Sequence, residues 1–125
     1  MAADFRSLQV WRAARDLRND IFDWCDGLPP EERFRLRDQM IRASRSITAN
    51  LAEGHGRYSY KEAIRYAHQA RGFLSEFMDH IDVACSCGYM SADEAGGWLG
   101  RTQAVSRLLN GYIRFLRQRA RPPAD

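Results

Sequence analysis

From Val10 the apolar residues recur at Val10, Ala14, Leu17, Ile21, Trp24 and Leu28. Steps alternating between four and three place one buried stripe along a helix. Gly27 and the pair Pro29-Pro30 end it, since proline cannot continue the hydrogen-bond ladder and restricts the residue before it. A second helix is expected to open at Pro30 or Glu31, with Glu31 and Glu32 near its positive end. Its stripe is Leu36, Met40, Ala43, Ile47 and Asn50, with Leu51 alongside. Ala43, Ser44, Ser46, Ala49 and Ala52 are small enough to admit a close neighbouring helix. Asn50 reads either as a buried amide bonded to a neighbouring helix or as a ligand, and the structural role is favoured because buried polar groups are normally satisfied. Gly54 and Gly56 are expected to end this helix, glycine being the residue that takes a left-handed C-cap most readily.

Ser59-Tyr60-Lys61-Glu62 is a capping box and opens a third helix. Ala63, Ala67, Ala70, Leu74, Phe77, Ile81 and Ala84 form its stripe, which stops at Gly88. Tyr66 and Phe73 widen the stripe on one side, and Ile64, Met78 and Cys85 on the other, so more than one face is expected to be covered. Ser91-Ala92-Asp93-Glu94 opens the fourth helix in the same way, with a stripe of Ala95, Trp98, Thr102, Val105, Leu109, Tyr112 and Leu116. Gly96, Gly97, Gly100 and Gly111 each weaken it by about 1 kcal/mol relative to alanine, so packing must hold it. Pro122 and Pro123 mark a frayed tail over 120–125.

No stretch alternates as a strand would. The fold class is therefore all-α, an antiparallel up-down-up-down four-helix bundle. With 125 residues there is material for one core, so 1–125 is expected to be one domain.

Antiparallel threading gathers both termini and the 54–58 loop at one end. Residues 1–17, 43–72 and 106–125 carry 13 basic and 5 acidic side chains, whereas the remainder carries 6 basic and 11 acidic. The modest overall charge of +3 thus conceals a strongly positive pole. Arg6, Arg12, Arg15, Arg57, Lys61, Arg65, Arg114, Arg117, Arg119 and Arg121 lie there, with Tyr58 and Tyr60 in the loop. Basic side chains interleaved with aromatics suit phosphate contact and base stacking. Only Lys61 of the 19 basic residues is lysine; arginine forks suit phosphate, although genomic base composition produces the same bias.

No apolar run approaches the roughly 20 residues of a membrane span, and the polar start MAADFRSLQVW lacks the apolar segment of a secretory signal. A cytoplasmic protein without membrane partners is expected. Cys25, Cys85 and Cys87 are odd in number and read as free thiols.

Chemistry has little support. No Glu-x-x-His pair of the di-metal bundle type occurs, and Glu76 and His80, four apart, lie off the Phe77 and Ile81 stripe. Gly54-His55-Gly56-Arg57 lacks the glycine spacing and Lys-Ser/Thr pair of a phosphate loop. His55 and His68 have no evident nucleophile to activate. Neither catalytic residues nor a metal or cofactor is expected.

The run Leu36-Arg37-Asp38-Gln39, Arg42-Ala43, Ser46-Ile47, Asn50-Leu51-Ala52-Glu53-Gly54 and Gly56-Arg57 resembles a bacterial four-helix-bundle family. That family includes the 23S rRNA intervening-sequence proteins and the accessory variability determinants of diversity-generating retroelements. The similarity extends from Phe5-x-x-Leu8-x-Val10-Trp11 to Tyr112-x-x-Phe115-Leu116. It implies a homo-oligomer, a pentameric ring of bundles, and for the retroelement branch contacts with a reverse transcriptase and with nucleic acid. The third helix departs from the family's Gly-Ser followed by two glutamates, reading Gly72-Phe73-Leu74-Ser75-Glu76-Phe77.

The sequence thus points to a non-enzymatic oligomer that binds RNA or a nucleoprotein through Arg12, Arg15, Arg57, Lys61, Arg65, Arg114, Arg117 and Arg119. Phe34, Ile41, Tyr66 and Phe73 are its candidate subunit contacts, and Asn50 and Gly54 its structural positions. The competing reading is a protein-interaction scaffold that does not touch nucleic acid.

Overall fold

The computed structural model describes residues 4–121. Four helices dominate it: α1 (Gln9–Trp24), α2 (Leu36–His55), α3 (Tyr60–Ser86) and α4 (Ala92–Ala120). Each packs against its sequence neighbour, and α4 closes on α1, as in an up-down bundle. The stripes meet in a core where Leu17, Ile21, Met40, Ile47, Leu51, Leu74, Phe77, Ile81 and Leu109 are fully buried. On α4 the stripe shifts by one residue near its end, with Ile113 buried and Tyr112 half-exposed. Of the tail expected to fray over 120–125, Ala120 is still helical and Arg121 caps α4, while 122–125 lie outside the described residues.

The α1–α2 connection differs from expectation. Pro30–Glu32 form only a 3-10 turn, and α2 begins at Leu36 after Arg35 adopts φ −121°, ψ −104°. Glu32 is drawn elsewhere, because its carboxylate accepts from the Tyr89 hydroxyl at 2.7 Å. That bond, reinforced by partial burial, pushes the Tyr89 phenol up to about 12. Phe34 is left 80% exposed in the turn.

Serine caps open α3 and α4, the Ser59 and Ser91 hydroxyls accepting from the amides of Glu62 and Glu94. The glutamates serve other partners. Glu62 pairs with Arg65, and Glu94 accepts at 2.7 Å from the Trp24 indole, joining the end of α1 to the start of α4. Helix α3 ends as expected at Gly88, whose φ of 79° lets the Tyr89 amide reach back to the Ala84 carbonyl.

At the end of α2, Gly56 caps the helix as expected, but neither glycine adopts the left-handed cap. Gly56 has φ −81°, an ordinary right-handed value, and Gly54 lies inside the helix, buried. What Gly54 supplies is clearance: a β-carbon there would sit 2.7 Å from Tyr66 Cβ and 3.3 Å from the Ala63 carbonyl. Asn50 is half-buried, and its amide donates at 2.8 Å to the Ser46 carbonyl of its own helix. Because that neighbouring carbonyl is so close, register need not come from an interhelical amide bond.

Candidate nucleic-acid interface

The positive pole is assembled as the threading requires. Ser7 and Leu8 before α1, the loop 56–59 and Tyr112, Phe115 and Leu116 of α4 surround one cleft of about 380 Å³. The proposed arginines do not behave alike there. Arg57 is 2.7 Å from Glu53, donates to the Tyr66 hydroxyl and lies over the Tyr66 ring at 4.9 Å. These contacts hold its pKa above the ordinary value, with the Glu53 hydrogen bond the main cause. Arg65 covers the Tyr66 ring at 4.6 Å and pairs with Glu62 at 3.5 Å. Arg15 lies 3.0 Å from Asp16 and stacks over Trp11. Arg12 donates to the carbonyls of Arg6 and Ser7, fixing the turn before α1. Three of these charges are thus matched locally, and the fourth serves the backbone.

The remaining four are different. Among the described residues no carboxylate lies within ion-pair distance of Lys61, Arg114, Arg117 or Arg119. Arg119 stacks on Phe115 at 4.9 Å.

A residue outside the sequence-derived set joins them. Arg71 of α3 donates to Asn110 of α4 at 3.2 Å and approaches His68 Nδ1 at 2.8 Å, while Arg117 of α4 approaches His68 Nε2 at 3.4 Å. A neutral imidazole has one acceptor nitrogen. The shorter contact assigns that lone pair to Nδ1, leaving the second guanidinium near an N–H. Desolvation first, then the charges of Arg71 and Arg117, lower the His68 pKa. The pair of guanidiniums therefore flanks an uncharged ring. Residues 63–75 of α3 and 95–121 of α4 contain no aspartate or glutamate, so this helix pair has no local anion to answer them. That gap was the available sequence signal for Arg71, and counting charge by bundle ends averaged over it.

Of the candidate contact residues, Phe34 lies in the turn before α2, Ile41 on α2, and Tyr66 and Phe73 on α3. Phe34 and Ile41 border a groove along α2 with Arg42, Arg45 and Ala49. A second groove, of about 650 Å³ between α1 and α2, is lined by Trp11, Phe22, Ile41, Thr48 and Ala52. Phe73 borders an α3 depression with Gln69, Gly72 and Glu76. Tyr66 is instead engaged by Arg57 and Arg65.

His80 is not off the core: it is 6% exposed. Its Nε2 lies 2.9 Å from Glu76, which in turn pairs with Arg42 of α2 at 3.3 Å. This chain of contacts ties α2 to α3. Among the described residues no group of three or more histidine, cysteine, aspartate or glutamate side chains could hold a metal ion. Cys25 is buried, which raises its thiol to about 11, Cys85 is half-buried and Cys87 exposed. None of the described helices is long and apolar enough to cross a membrane.

Compared with known proteins, residues 6–111 match the family model described as 23S rRNA-intervening sequence protein. No curated protein matches the chain.

Proposed function

The chain belongs to the 23S rRNA-intervening sequence protein family, and we propose that it is a non-enzymatic RNA-binding protein whose contact surface is the α3–α4 face. One observation carries this reading: Arg71 and Arg117 converge on His68 in a helix pair without local carboxylates. Bringing two guanidiniums together costs electrostatic energy unless an anion intervenes. Each planar fork can donate two hydrogen bonds to a phosphate. Lys61, Arg114 and Arg119 extend the cationic surface. The family is named for intervening sequences of 23S rRNA, which makes RNA the first polyanion to test.

The test is the salt dependence of RNA binding. If Arg71, Arg114 and Arg117 each neutralise one phosphate, the log–log slope is about −2.1 for single strands to about −2.7 for duplex per subunit. Between about 50 and 200 mM salt, affinity then falls roughly 20- to 40-fold. Arg71→Glu with Arg117→Glu should abolish binding; unchanged RNA affinity in that variant, with loss of a protein partner instead, would favour the scaffold reading.

Self-association is part of the same proposal. The exposed Phe34 ring and the open grooves along α2 offer apolar surface to a second copy. A ring, pentameric in the form the family resemblance implies, would repeat the arginine face around an axis and multiply its field. A reverse transcriptase remains a candidate nucleoprotein partner on the same ground.

A further inference from the structure

Beside the arginine face, the cleft at the positive pole has a different chemistry. Leu8, Ala63, Tyr112 and Leu116 supply buried and half-buried walls, and Tyr60 and Phe115, each 46% exposed, stand nearer to solvent. Tyr58 protrudes beside them, fully exposed. Aromatic rings held this far into water are unfavourable as packing. None of the residues lining the cleft is an aspartate or glutamate. Arg119 lies over the Phe115 ring, and Lys61 follows Tyr60 directly.

We infer that this cleft takes an unpaired nucleobase, stacked against Tyr60 or the face of Phe115 that Arg119 leaves open, while the adjoining phosphates lie against Lys61 and Arg119. The volume, about 380 Å³, falls within the range of about 300–1,000 Å³ typical of small-ligand sites. A flat aromatic base is the occupant that matches an apolar slot between exposed rings with cations at its edge. An aliphatic ligand would not use the cations, and an acidic peptide would not use the ring faces. A base within a duplex cannot enter, since both its faces are already stacked, so the cleft selects single strands, loops or frayed ends. Ser7 and Ser59 line the same cleft, Ser7 donating its hydroxyl to the Asp4 carbonyl and Ser59 accepting from the Glu62 amide, which leaves the Ser59 O–H free to donate.

The inference rests on the RNA-binding reading for its biological sense, yet its test separates the two. Adenosine 5′-monophosphate and ribose 5-phosphate, each at millimolar concentration, are titrated against the whole protein while the ring proton signals of Phe115 and Tyr60 are followed by NMR. The nucleotide should shift those signals and the ribose phosphate should not. Equal shifts from both, or none from the nucleotide, overturn the base site. In a second measurement, Tyr60→Leu and Phe115→Leu are compared with wild type on single-stranded and duplex RNA of equal length. Stacking on one ring corresponds to about a 5- to 100-fold change in affinity. That loss is expected for single strands alone, with duplex affinity and melting temperature unchanged. Equal loss on both RNAs, or no loss on either, overturns the base site while leaving the arginine face standing. Failure of the Arg71 and Arg117 variants to weaken RNA, with the nucleotide shifts present, would remove the face and keep the cleft.

Discussion

Gly54 of α2 faces Tyr66 of α3 so closely that a β-carbon on the glycine would lie 2.7 Å from the tyrosine's own β-carbon. Real β-carbons do not approach that near, and backbone atoms of Ala63 stand at 3.3 and 3.4 Å on the same side. The helices must separate to admit even alanine. Gly54→Ala is therefore expected to lower stability by about 1–3 kcal/mol. Gly56→Ala makes the contrast, because its φ of −81° suits any residue and its nearest neighbour would be 3.6 Å away. It should be neutral or stabilising by up to about 1 kcal/mol. Urea unfolding of the two variants checks the pair, and equal effects would contradict the close-approach role of Gly54.

Helix α4 runs unbroken through Gly96, Gly97 and Gly100, where an added β-carbon would meet nothing within 4 Å. Replacing each by alanine removes backbone entropy lost on folding, about 0.5–1 kcal/mol per site. The triple variant should melt several degrees higher than wild type. Gly88→Ala should do the reverse, since its φ of 79° penalises a β-carbon.

The matched and unmatched arginines should separate in RNA binding. Arg57→Gln removes a charge already answered by Glu53, so affinity and salt slope are expected to stay near wild type. Arg117→Gln should weaken binding to all sequences alike and reduce the salt slope by about one. Fluorescence anisotropy across a salt series decides this. A larger effect from Arg57 than from Arg117 would reverse the assignment of the face.

Protonation of His68 adds a pH signature. Its folded pKa lies below the ordinary 6.5 because of desolvation and the flanking Arg71 and Arg117. As pH falls through 6.5 the unfolded chain gains a proton that the folded chain still refuses, so stability declines until the depressed folded value is passed. Above 6.5 this contribution is fully present. His68→Gln should flatten that part of the melting-temperature profile, and an unchanged slope would place the titration elsewhere.

Phe34 is 80% exposed, so a monomer should tolerate Phe34→Asp without loss of helicity. If α2 is the contact between copies, the same change shifts sedimentation of a larger species toward the 14.4 kDa chain. A wild-type protein sedimenting only as that chain at micromolar concentration would end the oligomer proposal.

Hydrophobic spacing and caps by themselves determined four helices and their antiparallel order, because helical period and chain breakers are local properties. The gathering of basic residues and tyrosines at one pole follows from that order alone. What each side chain does at the pole is another matter. Arg57 meets Glu53 on an adjacent turn, whereas Arg117 meets His68 forty-nine positions earlier in the chain. Such encounters depend on how each helix is rotated about its axis, which a one-residue shift of the stripe, as from Tyr112 to Ile113, is enough to change. The same rotation brought Gly54 against Tyr66 and turned an expected cap into a point of contact. It also kept His80 inside and left Phe34 outside. Sequence determined where the positive charge gathers; only packing decided which of it is already neutralised, since ion pairing falls off over a few ångströms.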